Sequence, residues 1–130
     1  MHYAARAELK YVHIAPRKMR LVASAIRGLP VSEAEARLLL LPQRSAGPLL
    51  KLLRSAVASA KHQAKLEPAA LVVSEIYVNQ GPMLKRSLPR AMGRATPIHK
   101  KMSHAKIVLS SVSPVESRFV IQPPKPKAKK

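Results

Sequence analysis

From Ile76 to Val115 the chain carries no carboxylate; Glu75 and Glu116 are the nearest on either side. Between them lie Lys85, Arg86, Arg90, Arg94, Lys100, Lys101 and Lys106. Both ends of this stretch read as strand. Leu71–Val78 (LVVSEIYV) and Lys106–Val112 (KIVLSSV) are rich in β-branched residues, which suit a pleated, half-buried surface. The middle, GPMLKRSLPRAMGRATP from Gly81 to Pro97, is too polar and too broken by Gly and Pro to build a core of its own. An antiparallel pair is the simplest topology for two strands so joined. If pairing continues outward from Tyr77 to a tip near Arg90–Gly93, each limb has about 14 residues and spans roughly 45 Å. That exceeds the radius of a domain this size, so the tip must project away from the body. The spacing therefore predicts a very long basic β-hairpin over 77–108; a basic arm with no core to pack on calls for a polyanion, and we read it as a hairpin ordered inside folded RNA.

The rest of the composition supports a polyanionic partner. Lys and Arg number 24 among 130 residues, against six Glu and no Asp, for a formal net charge of +18. Self-repulsion of that size weakens a compact free state, and a polyanion relieves it. Nucleic acid is the first candidate and an anionic membrane surface the second. Apolar residues make up 47% of the chain, enough to exclude a wholly disordered one and to build one modest core. The absence of Cys excludes disulfides and thiolate metal sites. The longest apolar run, Ala69 to Val73, is far short of the roughly 20 residues of a membrane span. MHYAARAELK lacks the apolar region of a secretory signal, so a soluble intracellular protein is expected.

Along the body, residues 3–12 alternate, with Ala5, Ala7, Leu9 and Tyr11 on one face and Arg6, Glu8 and Lys10 on the other, as in a half-buried strand. Pro16 opens a helix and Gly28 ends it. Met19, Val22, Ala23 and Ile26 form its core stripe; Arg17, Arg20, Ser24 and Arg27 form a second stripe, either an ordinary solvated face or one turned to RNA. Ser32-Glu33-Ala34-Glu35 has the form of a capping box for a short helix to about Leu41. Ser45 is the next plausible cap, for the longest helix, to about Lys65. Its inner side carries Leu49, Leu53, Ala56, Val57, Ala60 and Ala64, and its outer side Lys51, Arg54, Lys61 and Lys65. Pro68 then breaks the pattern. The end, QPPKPKAKK, reads as an extended, mobile basic tail. The fold class expected is α+β: three helices packed on a small antiparallel sheet, in a single domain over 1–112, with a tail over 113–130.

Catalysis finds little support. The six Glu show no paired spacing for acid–base work, and no G-x-S-x-G turn is present. The five His (His2, His13, His62, His99 and His104) form no metal-binding spacing, so neither cofactor nor metal is expected. His99 and His104 flank Lys100 and Lys101, where they either bond phosphate, stack on a base, or simply add surface polarity. Gly81 and Gly93 fit turns or a close backbone approach to a ligand. The few aromatic residues, Tyr3, Tyr11, Tyr77 and Phe119, argue against a base-stacking sheet. Phosphate contact and shape reading by Arg and Lys remain. A DNA-binding or general nucleic-acid chaperone protein is the first rival, disfavoured because no short helix–turn–helix is evident. A cationic membrane-active protein is the second, disfavoured because the 45–65 helix lacks Trp and Phe.

Two segments resemble a known family. VNQGPMLKRSLPRAMGRATPIHKKMSHAKIVL, Val78 to Leu109, is similar to the signature of the universal large-subunit ribosomal protein numbered twenty-two, in its bacterial form, and APRKMRLVASAIRG, Ala15 to Gly28, resembles that family's first helix. The resemblance covers about residues 5 to 111. It implies a body at the outer surface of the large subunit near the tunnel exit, and a hairpin that threads large-subunit ribosomal RNA. It also implies help in early assembly, contact with neighbouring ribosomal proteins and the nascent polypeptide, and no homo-oligomer. By resemblance Lys85, Arg86, Arg90 and Arg94 are the basic tip positions. Leu84, Lys85 and Arg86, continuing through Ser87, Leu88, Pro89, Arg90, Ala91 and Met92, form the tip that lines the exit tunnel. Lys18 and Arg20 match basic positions of the first-helix motif, and Lys100, Lys101 and His104 match the returning limb. Met92 stands where a basic residue is common, and the tail beyond Ser111 exceeds shorter members of the family.

Overall fold

Alternating apolar residues build the sheet, and 3.6-residue stripes build the helices that cover one face of it. The computed structural model describes residues 2–111, so the tail over 113–130 lies outside the described residues. Chain order is β1 (His2–Val12), α1 (Pro16–Ile26), α2 (Val31–Leu40), α3 (Ala46–Ala64), a 3-10 turn (Pro68–Ala70), β2 (Leu71–Pro89), a second 3-10 turn (Ala91–Gly93) and β3 (Ala95–Ser111). The sheet is antiparallel in the order β1-β3-β2. This is the α+β arrangement expected, three helices on a small sheet from which β2 and β3 run on as a long hairpin.

The core forms where the stripes meet. Met19, Val22, Ala23 and Ile26 of α1, Leu49, Leu53, Ala56 and Ala60 of α3, and Ile107 and Leu109 of β3 are all buried. Each large side chain fully removed from water contributes about 1.5–3 kcal/mol. In β2 the buried set changes parity, from Leu71 and Val73 to Ile76 and Val78. A bulge between Val73 and Glu75 inserts the extra residue, and Ser74 donates its hydroxyl to the Val108 carbonyl at 3.0 Å.

Three details depart from the sequence pattern. Ser32 does not cap α2: the cap position is Pro30, with no side-chain hydrogen bond, and Glu35, the acid expected to complete the box, instead pairs with Arg54 of α3 at 2.7 Å. Pro30 is drawn there because it bridges Val72 on the β2 edge. Ser45 is the cap residue of α3, but its backbone is helical and its side chain, which is buried, makes no cap bond. Tyr11, expected on the core face, is 60% exposed. A register shift between Leu9 and Val12 adds a residue to β1, Tyr11 turns to φ 56°, and Val12 takes over the inward position.

β2 is an edge strand whose outer rim is covered piece by piece. Gly28, at φ 77°, donates its N–H to the Val73 carbonyl at 2.8 Å, and the Val73 N–H returns to the Leu29 carbonyl at 2.9 Å. Farther along, Arg27, just past the end of α1, and Arg20 within it donate to the Ile76 and Val78 carbonyls at 2.9 and 3.1 Å. The hairpin leaves the body just past this point.

Candidate nucleic-acid interface

Pairing continues to Pro89↔Ala95, as the strand-like ends and the turn residues imply. From Val78 to Pro89 the limb reaches roughly 36 Å at about 3.3 Å per residue, nearly three times the roughly 13 Å radius of gyration of a body this size. From Leu84 to Lys101 every residue is exposed. Residues directly opposite share a face. Lys85 therefore lies beside His99 and Met83 beside Lys101 on one face, while Leu84 lies beside Lys100 and Arg86 beside Ile98 on the other. Leu84 and Leu88 flank Ile98 diagonally, so that second face carries a small apolar ribbon, each residue of it about 40% exposed. Cations thus occur on both faces, and both limbs are edge strands whose backbone groups meet whatever surrounds them.

The tip closes through Ala91–Gly93. The Arg90 N–H donates to the Arg94 carbonyl at 2.7 Å, and Met92 (φ 60°) and Gly93 (φ 66°) both take the left-handed conformation that turns the chain. Gly93 does this at no steric cost; Met92 does so with its side chain 94% exposed. Arg90 Nε reaches the Thr96 hydroxyl, which donates to the Leu88 carbonyl, both at 3.4 Å. Arg86 folds back on the carbonyl of Lys85 at 2.8 Å. Lys85, Arg86, Arg90, Arg94, Lys100 and Lys101 meet no carboxylate among the described residues. The described acids all stay on the body: Glu8 beside Lys10 and Lys106, Glu33 with Arg37, Glu35 with Arg54 at 2.7 Å, and Glu67 and Glu75. Arg54 is therefore tied to α2 and is not a free member of a basic α3 face.

The α1 stripe divides in two. Arg20 and Arg27 stay exposed, yet each turns one guanidinium N–H to β2, because the rim carbonyls there need donors. Arg20 keeps its remaining guanidinium N–H groups, and with Arg17 and Lys18 it lines a concavity of about 300 Å³ that also takes in Gln80 and Lys101 at the hairpin root. The structure thus brings one group of candidates together here, while Lys85, Arg86, Arg90, Arg94, His99 and Lys100 stand apart along the hairpin.

His104 has another task. Its Nδ1 accepts the Tyr11 N–H at 3.0 Å, the donor that the β1 bulge removes from the ladder, and its ring meets Tyr11 edge-on at 4.8 Å. Its other side covers Gly81, where a Cβ would stand 3.2 Å from Nε2 and 3.3 Å from the Met102 backbone carbon. Gly81 sits in a second bulge of β2, between Gln80 and Met83, so it makes room for an imidazole rather than forming a hairpin turn. His104 joins the bulges of β1 and β2 where the hairpin departs. Gln80 and Thr96 are further polar residues of this surface that spacing alone did not single out.

On the outer face of the sheet the Tyr77 hydroxyl donates to Glu75 at 2.9 Å. That bond, reinforced by the carboxylate charge, raises the phenol above its ordinary value. Among the described residues no three His, Asp or Glu side chains gather as a metal site, and no helix is long and apolar enough to cross a membrane.

The sequence profile of the family described as ribosomal protein L22p/L17e matches residues 7–110. The large ribosomal subunit protein uL22 of Lactobacillus delbrueckii subsp. bulgaricus is 52% identical over 110 residues, 85% of this chain and 94% of its own. That of Lactobacillus helveticus is 54% identical over 108 residues, 82% and 92% of the two chains, and that of Lawsonia intracellularis 48% over 105 residues, 81% and 94%. The match runs through the body and both limbs of the hairpin, and the chain belongs to the L22p/L17e family of ribosomal proteins.

Proposed function

We propose that this protein is a structural, non-enzymatic constituent of the large ribosomal subunit that binds large-subunit ribosomal RNA and assists early assembly. Its hairpin threads the RNA and its tip, Leu84–Met92, lines the nascent-peptide exit tunnel. The observation that carries this reading is the hairpin itself: it projects far beyond the body, exposes every residue from Leu84 to Lys101, and carries six cations without an acid. A polyanion relieves that unopposed charge, and RNA phosphates also meet the open strand edges. Lys85, Arg86, Arg90, Arg94, Lys100, Lys101 and His99 contact RNA from the hairpin, and Arg17, Lys18 and Arg20 from α1. His104 serves the RNA contact indirectly, by holding the root. Body and hairpin over 1–112 act as one unit, apart from the 113–130 tail. The partners are ribosomal RNA, neighbouring large-subunit proteins and the nascent polypeptide, with one copy per cytoplasmic ribosome.

Sedimentation of the tagged protein from lysate on sucrose gradients, at low and high salt, tests this. Co-migration with the large subunit and its precursors is the expected result. Migration as free protein, or with bulk DNA, would refute it.

A further inference from the structure

The concavity between α1 and the hairpin root brings together four cations from two parts of the molecule: Arg17, Lys18 and Arg20 on the body, and Lys101 on the hairpin. No carboxylate lines it, and among the described residues Arg17, Lys18 and Lys101 pair with none elsewhere. Like charges gathered without a counter-charge destabilise the free protein, and the arrangement makes sense when an anion fills it. Two features narrow the anion. The Arg20 Nε bond to the Val78 carbonyl orients its guanidinium, so the planar fork is presented in a fixed attitude suited to a pair of phosphate oxygens. Gln80 adds a neutral amide at the wall formed by β2, able to donate to a further oxygen.

We propose that this concavity seats one backbone phosphate of the RNA, held by Arg17, Lys18, Arg20 and Lys101 with Gln80 as a neutral donor. The proposal rests on the RNA-binding reading above and adds a function to it. Gln80 and Lys101 stand on either side of the bulge at the hairpin root: Gln80 faces Ser103, which still pairs with β1, and Lys101 faces Met83 in the first pair beyond the bulge. A phosphate held by both parts therefore fixes the direction in which the hairpin leaves the body. RNA that binds the root also aims the tip.

The test uses the full chain and a fragment of large-subunit ribosomal RNA. Gln80→Glu puts a carboxylate in the seat and leaves every cation in place; because Gln80 is exposed, the fold tolerates it. RNA affinity should fall about tenfold, and the log–log salt slope should become shallower by roughly one phosphate equivalent. Gln80→Leu should lose much less. Wild-type affinity and slope for Gln80→Glu would overturn the seat while leaving RNA binding intact. Failure of the wild-type chain to bind the RNA at all would overturn the RNA-binding reading and the seat together. An independent measurement titrates the wild-type chain with inorganic phosphate and follows amide resonances. Arg17, Gln80 and Lys101 should shift together and saturate. Absence of a common saturating shift would overturn the seat.

Discussion

Replacing His104 with Ala separates two roles that a histidine on a basic hairpin could play. The structure has Nδ1 accepting the Tyr11 N–H at 3.0 Å and the ring packed edge-on to Tyr11 at 4.8 Å. The hydrogen bond contributes about 0.5–1.5 kcal/mol net, at the lower end because Tyr11 is 60% exposed and water can replace the acceptor. The ring pair adds about 0.5–1 kcal/mol beyond its buried area. Together the variant should lose about 1–2 kcal/mol, which for a body of this size lowers Tm by roughly 4–8 °C. Thermal unfolding of the free full chain at neutral pH, followed by far-ultraviolet circular dichroism, measures this without RNA. A Tm within about 1 °C of wild type, with lost RNA affinity, would refute the reasoning. It would return His104 to the role of a direct RNA contact.

Three further outcomes follow from the same geometry. Gly81→Ala should cost about 1–2 kcal/mol in denaturant unfolding, because its Cβ would press on the His104 ring and on the Met102 backbone, and backbone cannot give way. Replacing Lys85, Arg86, Arg90 and Arg94 together with Ala should leave the free chain's Tm nearly unchanged, since none packs on the body. The same variant should flatten the salt slope of RNA binding by about 3; a large loss of stability would mean the tip packs on its own body. Tyr77 should titrate above its ordinary value in ultraviolet absorbance, and Glu75→Gln should bring it back towards that value. Because the phenol is raised in the folded chain, the small stabilisation from this bond is present below the unfolded value of about 10 and lost as pH rises through the folded one.

Much of this molecule is legible from local pattern. The stripe Met19, Val22, Ala23, Ile26 is the buried face of α1 because helical periodicity depends only on neighbours one turn away. The two β-branched runs and the turn near Arg90–Gly93 likewise mark the hairpin, and the absence of carboxylates marks its charge. The family was legible for the same reason, since its motifs lie on those local elements. What local pattern missed depends on residues far apart in the chain. Bulges moved Tyr11 outward and changed the parity of β2, because register is set by what the opposing strand presents. Pro30 displaced Ser32 from the cap of α2 because the β2 edge needed a partner. Arg20 and Arg27 of the expected basic stripe each commit a guanidinium N–H to a rim carbonyl, and His104 commits its Nδ1 to the bulge, for the same cause. A buried or rim backbone group without a partner costs more than a surface side chain gains by staying free, so tertiary structure takes the nearest side chain to satisfy it. The sequence determined that this is a basic hairpin on an α+β body; only the folded chain decided which of its described cations the body engages, because that depends on the distant groups each one meets.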